Sequence, residues 1–286
     1  MNLNKKIIMG GAQFGMNYGI ANKNGEISFK NLNKILNYAI KRKVHIIDTA
    51  TSYKSSLKKI FKISRNNNLK KKIKVIIKVK SSSILNIDKF KKLDDNYNIY
   101  CIMAHSSKLF LNRSFQKKIQ KLKKNYKFKL GVSIYENREL INLKDHYKII
   151  DILQIPFNIV NYKTFNTKIF KKLKRKKIEL HARSIFYQGV LLMNEKNIKI
   201  KFKNFHRNFN ELKYLSKKNK INLIFLCIKF VLNRKYFDKL IFGFDTLTQF
   251  KEIIRNLNSR KKIPHEIRNY LKNTDLKPSL PDPREF

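Results

Sequence analysis

The feature that most constrains the fold is a regular change of period along the chain. Eight short runs rich in Ile and Val are separated by segments in which apolar residues recur every three or four positions. The short runs are typical of strands covered on both faces, and the spacing between them is typical of helices that bury one side. The predicted strands span residues 6–9, 45–49, 75–79, 99–104, 128–133, 150–155, 178–185 and 240–242.

The clearest predicted helices follow residues that are suited to cap a helix N-terminus. Ser28, Ser114 and Thr246 each precede an apolar stripe with helical spacing, and the stripes at 32–40 and 247–257 are the strongest. The hydroxyl oxygen of Ser or Thr accepts a hydrogen bond from the unpaired amides of a first helical turn. We therefore expect a helix to begin after each of these three residues.

Strand–helix units that repeat eight times define the fold class. Because parallel strands need a long crossover between them, the alternation predicts a parallel sheet with outer helices. Eight units in 286 residues fit a closed (β/α)8 TIM barrel, an α/β fold, better than an open sheet. The glycines at 10, 11 and 15 do not form the fingerprint of an open dinucleotide-binding sheet. We assign residues 1–273 to the barrel, with an insertion at 195–210 and a C-terminal tail at 274–286.

The composition argues against several other classes of protein. No apolar run approaches the roughly 20 residues needed to span a bilayer, and residues 1–15 hold no stretch long enough for a signal peptide. Cys101 and Cys227 each lie in an apolar run, as buried free thiols usually do, so neither a disulfide framework nor a metal centre is expected. These features predict a cytoplasmic protein that makes no membrane contact and acts as a monomer or weak dimer.

The charge of the chain allows two interpretations. The sequence carries a net charge of +46, and 53 of its 65 basic residues are lysine rather than arginine. A polyanion such as nucleic acid is a common partner of so basic a protein. Proteins that read phosphates and bases draw heavily on the arginine fork, however, and no zinc-finger, basic-zipper or aromatic RNA-binding pattern is present. A base-composition bias of the genome would also enrich Lys, Asn and Ile, so nucleic acid is not the expected partner.

Polar residues recur where the predicted strands end. In a (β/α)8 barrel, the chemistry takes place at the carboxyl ends of the strands. The polar residues there are Asp48, Lys78, His105, Ser133, Gln154, Arg183 and Ser184, with Tyr53 in the loop after the second strand. Three adjacent strand ends therefore supply an acid, a phenol, an amine and an imidazole. Such a set is able to transfer protons.

At these positions the chain resembles the aldo/keto reductase family, in the branch found among bacteria. The Asp-Thr-Ala-x-x-Tyr pattern at 48–53 is similar to a family motif. Further similar segments are 10–15, 18–20, 77–79, 103–106, 131–133, 154–158, 182–189 and 243–250, in the family's order. Each segment alone is weakly specific, but the set covers most of the chain. The resemblance implies a barrel, NADP or NAD as the cofactor, and reduction of a small aldehyde or ketone.

The resemblance also implies four catalytic roles. Tyr53 is the general acid that protonates the carbonyl oxygen, and Lys78 lowers the pKa of Tyr53. Asp48 pairs with Lys78, and His105 orients the carbonyl group. The roles agree with elementary electrostatics, because a tyrosine with a pKa of about 10 is a weak proton donor at neutral pH. An ammonium about 4 Å away, at an effective dielectric constant near 20, favours the tyrosinate by roughly 4 kcal/mol before desolvation opposes it.

A second set of residues matches positions that hold the nicotinamide end of the cofactor in the family. Ser133 and Gln154 stand where relatives bind the carboxamide group. Arg183 stands where many relatives stack a tyrosine on the nicotinamide ring, and Ser184 follows it. An arginine is also able to stack on a ring, but it adds charge.

The phosphate end of the cofactor is matched by the segment 243–250. Gly243 and Asp245 lie in a stretch that resembles the family's cofactor loop, and the amides of the following helix are able to bind phosphate. Gln249 stands where NADP-preferring relatives often carry an arginine, and Asp245 would repel a 2′-phosphate. A preference for NADP is therefore not expected from these two residues, although the abundant lysines are able to compensate.

Two departures from the family keep an alternative function open. Lys54 and Leu57 stand where relatives usually carry Gly and Glu after the tyrosine. A barrel that has lost catalysis and binds a polyanion through its basic surface would accommodate such changes. Each candidate side chain also has a structural interpretation, for example a turn cap for Asp48 or a loop histidine for His105. The other histidines share no spacing, and structural roles are expected for them: His45, His146, His181, His206 and His265.

Overall fold

The computed structural model describes residues 2–165, 167–194, 196, 206–274 and 276, and eight parallel strands form a closed barrel in it. The strands are β1 (Ile7–Gly10), β2 (Ile46–Ala50), β3 (Lys74–Val79), β4 (Asn98–Ala104), β5 (Lys129–Ser133), β6 (Ile152–Pro156), β7 (Glu179–Arg183) and β8 (Lys239–Phe242). Each strand pairs with the next, and β1 pairs with β8. The predicted (β/α)8 barrel is confirmed, and its predicted strands end within two residues of the observed ones.

Helices surround the barrel and connect its strands. They are α1 (Phe29–Lys41), α2 (Ser56–Asn66), α3 (Ile87–Asn96), α4 (Ser107–Leu111), α5 (Arg113–Asn125), α6 (Asn137–Asn142), α7 (Thr167–Arg175), α8 (His206–Lys218), α9 (Leu223–Leu232), α10 (Leu247–Asn258) and α11 (His265–Asn273). Ser28 and Thr246 cap α1 and α10 as predicted. The predicted cap Ser114 is wrong, because the side chain of Asn112 accepts from the amide of Phe115 instead and starts α5 two residues earlier. Most of the predicted insertion and tail lies outside the described residues.

The barrel interior is lined by alternate residues of each strand. Apolar side chains that face outward pack against the helices and form the main core, whereas a smaller group fills the barrel itself. The members of the smaller group are Ile8, Ile46, Ile76, Cys101, Met103, Ile152 and Ile241. Cys101 and Cys227 are both buried and free, as predicted from their apolar surroundings.

A polar network closes the amino-terminal end of the barrel. Glu179 accepts hydrogen bonds from Lys129 at 2.5 Å and from the hydroxyl of Tyr100 at 2.8 Å. His181, two residues after Glu179 on β7, is fully buried, and its Nε2 lies 3.6 Å from the same carboxylate. Because charged groups and packed side chains fill this end, a small molecule has access to the interior from the carboxyl ends of the strands.

The most apolar helix, α9, is a core helix. Its ten residues are mostly buried, and the amine of Lys229 donates to the carbonyl oxygens of Leu257 at 2.9 Å and Ser259 at 2.7 Å. These bonds satisfy carbonyl groups at the end of α10, which has no further helical turn to pair them. Within the described ranges, no helix combines the length and the apolar content that crossing a bilayer would require.

Candidate active site

A buried ion pair lies near the carboxyl ends of β2 and β3. Asp48 Oδ2 is 2.7 Å from Lys78 Nζ, and both side chains are 5% exposed. Gln154 of β6 closes the arrangement, since its Oε1 accepts from Lys78 Nζ at 3.2 Å and its Nε2 donates to Asp48 Oδ1 at 2.8 Å. A charge inside a protein is tolerated when it is paired and hydrogen-bonded. These three side chains satisfy one another and hold the ammonium in a fixed place.

The loop that carries Tyr53 is fixed against the neighbouring strand–loop unit. Ser56 Oγ donates to the carbonyl oxygen of Gly11 at 2.9 Å. A Cβ atom on Gly15 would lie 2.2 Å from the carbonyl oxygen of Tyr53, so only glycine allows this close approach. Lys54 has a φ of 35°, in the left-handed region that favours glycine, which gives a physical reason for the glycine that relatives usually carry there.

Tyr53 and Lys78 influence each other's protonation. Lys78 Nζ lies 5.9 Å from the centre of the Tyr53 ring. Burial raises the pKa of Tyr53, Lys78 lowers it and Asp48 raises it, with a net shift above the ordinary value. Burial lowers the pKa of Lys78, but the charges of Asp48 and Tyr53 raise it, and the net shift is upward. Lys78 acts on the pKa of Tyr53 in the predicted direction, but burial outweighs this effect, and the expected net lowering of that pKa is not found. At neutral pH the site therefore holds a protonated phenol beside a protonated amine.

His105, directly after β4, is a neutral imidazole at physiological pH. Burial lowers its pKa to about 4, together with the positive charges of Lys78, Lys80 and Arg183. Its Nδ1 is buried without a hydrogen-bond partner among the described residues, while its backbone amide donates to the carbonyl oxygen of Val79 at 3.0 Å. A neutral imidazole has one N–H, so His105 is able to donate one hydrogen bond to a carbonyl oxygen.

Arg183, at the end of β7, packs against an aromatic ring of the site. Its Cζ atom lies 4.3 Å from the centre of the Tyr135 ring. The guanidinium donates to the carbonyl oxygen of Ile134 at 2.9 Å and to Ser184 Oγ at 3.3 Å, and its Nε is buried without a partner among the described residues. Stacking of residue 183 on a cofactor ring stays a prediction, because the ring beneath it here belongs to the protein.

A cavity of about 970 Å³ opens at the carboxyl ends of the strands and joins these groups. Its wall includes ten of the predicted site residues: Asp48, Tyr53, Lys78, His105, Ser133, Arg183, Ser184, Gly243, Asp245 and Gln249. Gln154 lies outside the wall, fully buried, with both amide atoms bound to the ion pair. Contact between Gln154 and a cofactor remains a prediction, and it would require the amide to exchange one of these partners.

The part of the cavity wall that belongs to α10 and its preceding loop is acidic. Asp245 and Glu252 both line it, whereas the lining residues of this helix and its preceding loop include no cation. Gln249 is folded back, with its Oε1 accepting from the amide of Asp245 at 2.7 Å. Thr246 Oγ1 accepts from the amide of Gln249 at 3.2 Å. Part of the N-terminus of α10 is thus occupied by the protein's own side chains.

The cavity wall also includes residues that were not predicted as site residues, among them Tyr18, Lys80, Tyr135 and Glu252. Lys80 and Tyr135 lie in the loops directly after β3 and β5. Because a barrel places its chemistry in the loops at the carboxyl ends of its strands, this position was a usable signal. Glu252 lies one turn after Gln249 on the same helix face, and Tyr18 lies in a loop for which no period applies.

The fold and the site together define a (β/α)8 barrel with a cavity, lined by titratable side chains, at the carboxyl ends of its strands. The sequence model of the aldo/keto reductase family matches residues 6–127, the part of the chain that holds Asp48, Tyr53, Lys78 and His105. The resemblance to this family is therefore confirmed for this part of the chain. No curated protein sequence matches the chain.

A solved structure shows the same fold. The crystal structure of a proposed aldo-keto reductase from Pseudomonas aeruginosa superposes with a TM-score of 0.63 at 12% sequence identity. The similarity covers 88% of this chain and 89% of the Pseudomonas chain. At this identity the comparison supports the architecture and does not extend to the reaction.

Proposed function

We propose that the chain is a nicotinamide-dependent reductase that converts the carbonyl group of a small aldehyde or ketone to an alcohol. The observation that carries the proposal is the buried Asp48–Lys78 pair beneath the Tyr53 ring, in one cavity with a neutral His105. Reduction adds a hydride to the carbonyl carbon and a proton to the oxygen. A reduced nicotinamide supplies the hydride when it is bound, and the protein must supply the proton.

Each of four side chains has a separate role in the transfer of this proton. The hydroxyl of Tyr53 gives its proton to the carbonyl oxygen as negative charge develops there. Lys78 stabilises the tyrosinate left behind, and Asp48 with Gln154 keeps the ammonium in place. The N–H of His105 donates to the same oxygen and orients it. Because Asp48 and Lys78 are buried, their charges act at a lower effective dielectric constant than they would in water.

The cavity has the size and the wall that a dinucleotide and a small substrate require together. Its volume lies at the upper end of the range for ligand sites, about 300–1,000 Å³. Apolar side chains suited to ring systems line it: Met16, Ile20, Ile185, Phe186, Leu192, Ile241, Phe244 and Ile253. A Cβ atom on Gly243 would lie 2.9 Å from the side-chain nitrogen of Gln13, also in the wall, so glycine keeps this part open.

NADH is expected to bind at least about tenfold more tightly than NADPH, a difference of about 1.4 kcal/mol. Asp245 and Glu252 repel the 2′-phosphate of NADPH, whereas a carboxylate accepts hydrogen bonds from the ribose hydroxyls of NADH. Titration of the purified protein with each reduced cofactor, followed by fluorescence, measures both dissociation constants. In Gln249→Arg the preference is expected to move toward NADPH, because the new positive charge would offset the negative charges of Asp245 and Glu252 in the same wall.

The same titration separates the reductase from the alternative function. A cleft of about 560 Å³ favours polyanion binding, because its wall includes Lys171, Lys174, Arg175, Arg234 and Lys235. Lys174 is already paired with Asp238 at 2.6 Å. A protein that binds neither reduced cofactor but binds nucleic acid with strong salt dependence would contradict the reductase and support this alternative.

The rate of reduction is expected to stay level from about pH 5 to pH 9. Tyr53 must be protonated, and burial keeps its pKa above the ordinary value, so the alkaline loss lies beyond this window. His105 must be neutral, and its pKa of about 4 moves the acid loss well below the ordinary histidine value of 6.5. The profile of kcat/KM against pH, with a substrate that does not titrate, checks this. An acid limb centred near pH 6.5 would contradict the neutral role of His105.

A further inference from the structure

Two cations near the catalytic residues have no anionic partner. Lys80 lines the cavity, is exposed, and forms no hydrogen bond or ion pair with any residue that the structure describes. Arg183 also lines it and bonds only to an uncharged carbonyl and a hydroxyl. Of the other two cations of the wall, Lys78 is already neutralised by Asp48, and Lys23 belongs to the loop between β1 and α1. This part of the wall therefore carries two uncompensated positive charges.

Both charges act on the reacting groups. Lys80 comes directly after β3, so it lies at the carboxyl end of the strand that carries Lys78. The positive charges of Lys80 and Arg183 lower the pKa of His105, and Arg183 also opposes the rise that burial causes in the pKa of Tyr53. A charge shifts a pKa in this way when it lies within about one Debye length, roughly 10 Å, of the titrating group. Lys80 and Arg183 are therefore near the reacting groups.

We propose that the substrate is an anionic carbonyl compound whose carboxylate or phosphate group binds Lys80 and Arg183 while its carbonyl group faces Tyr53 and His105. This inference rests on the proposed reductase function and specifies its substrate class. The planar guanidinium offers a fork for two oxygens of the anion, and the mobile ammonium of Lys80 supplies a second contact. A neutral substrate of the same length would leave both cations without a partner.

The orphaned Nε of Arg183 adds a further argument. A buried polar atom without a partner costs free energy, and such atoms in a folded protein call for an explanation. An anion bound at the guanidinium would lower that cost in the complex. Apart from Asp48, which is paired with Lys78, the acidic residues of the wall are Asp245 and Glu252, in α10 and its preceding loop, so an anionic group is directed away from that end.

Matched pairs of carbonyl compounds test the proposal. Reduction of 4-oxobutanoate is compared with that of butanal, and reduction of glyceraldehyde 3-phosphate with that of glyceraldehyde. We expect kcat/KM to be at least about 30-fold higher for one or both anions, and the two pairs separate a carboxylate from a phosphate. In Lys80→Gln this ratio is expected to fall about tenfold, whereas Lys80→Arg retains most of it. Lys124→Gln, which removes one exposed charge from α5 outside the cavity, is the matched control and keeps the ratio.

A second measurement needs neither turnover nor cofactor. NMR follows the ring signal of His105, assigned by its loss in His105→Asn, as 4-oxobutanoate is added. The anion offsets the charges that lower the pKa of His105, so that pKa is expected to rise, and butanal is expected to leave it unchanged. Equal kcat/KM within both pairs, or an unchanged ratio in Lys80→Gln, would overturn the proposed substrate class and leave the reductase intact. If none of the four compounds is reduced, the proposed reductase function is contradicted. The anion site is then tested by NMR alone, and an unchanged pKa of His105 with 4-oxobutanoate would overturn it.

Discussion

Tyr53→Phe is expected to lower kcat/KM for carbonyl reduction by about 100- to 10,000-fold, the usual contribution of a general acid. The substitution removes one hydroxyl and keeps the ring that packs near Lys78, so the fold and the affinity for the reduced cofactor are expected to stay unchanged. Steady-state kinetics measure the first effect, and the fluorescence titration with NADH measures the second. A protein that binds the cofactor but no longer reduces a carbonyl group has lost its proton donor.

Two other phenols on the cavity wall serve as matched controls for this result. Tyr18 and Tyr135 also line the cavity, but the ammonium of Lys78 lies beside the ring of Tyr53, and Tyr135 lies beneath Arg183. Tyr18→Phe and Tyr135→Phe are therefore expected to retain far more activity than Tyr53→Phe. Full turnover in Tyr53→Phe, with loss in either control, would move the role of acid to the other phenol.

The strands, and the polar residues at their carboxyl ends, were predictable because both follow from simple periods, whereas the roles of those residues came from the family resemblance. Parallel strands covered on both faces show as apolar runs, and the barrel places its chemistry where those runs end. The helix start at α5 was not predictable with the same certainty. Asn112 and Ser114 are both suitable caps, and the backbone geometry that selects Asn112 is set by packing rather than by residue type.

The protonation of the site could not be predicted from residue types alone. The sequence places an ammonium near Tyr53 and correctly predicts the direction of that one effect. The net pKa depends on how deeply the phenol is buried, which only the packed barrel defines. For Gln154 the sequence predicted the position on β6, but it did not predict the two hydrogen bonds to Lys78 and Asp48, which depend on how the barrel packs. Lys80 was not predicted because the chain has 53 lysines, and residue type alone does not distinguish a lysine of the cavity wall from the others.

Lys78→Met is expected to abolish reduction and also to lower the free energy of unfolding by about 3–5 kcal/mol. The carboxylate of Asp48 is 5% exposed, and the substitution leaves it without its cation at 2.7 Å. Gln154 still donates one hydrogen bond to that carboxylate, which does not offset the loss of a full opposite charge. Urea unfolding measures the stability loss, and steady-state kinetics measure the loss of turnover.

The double variant Asp48→Asn with Lys78→Met separates the two roles of the ion pair. It removes both buried charges together, so no uncompensated carboxylate remains and most of the lost stability is expected to return. Reduction is expected to stay absent, because Tyr53 still lacks the ammonium that stabilises its tyrosinate. If Lys78→Met alone unfolds at the wild-type urea concentration, the pair is not the buried charge centre that the 2.7 Å contact indicates. If the double variant regains turnover along with stability, the amine supports the fold and takes no part in proton transfer.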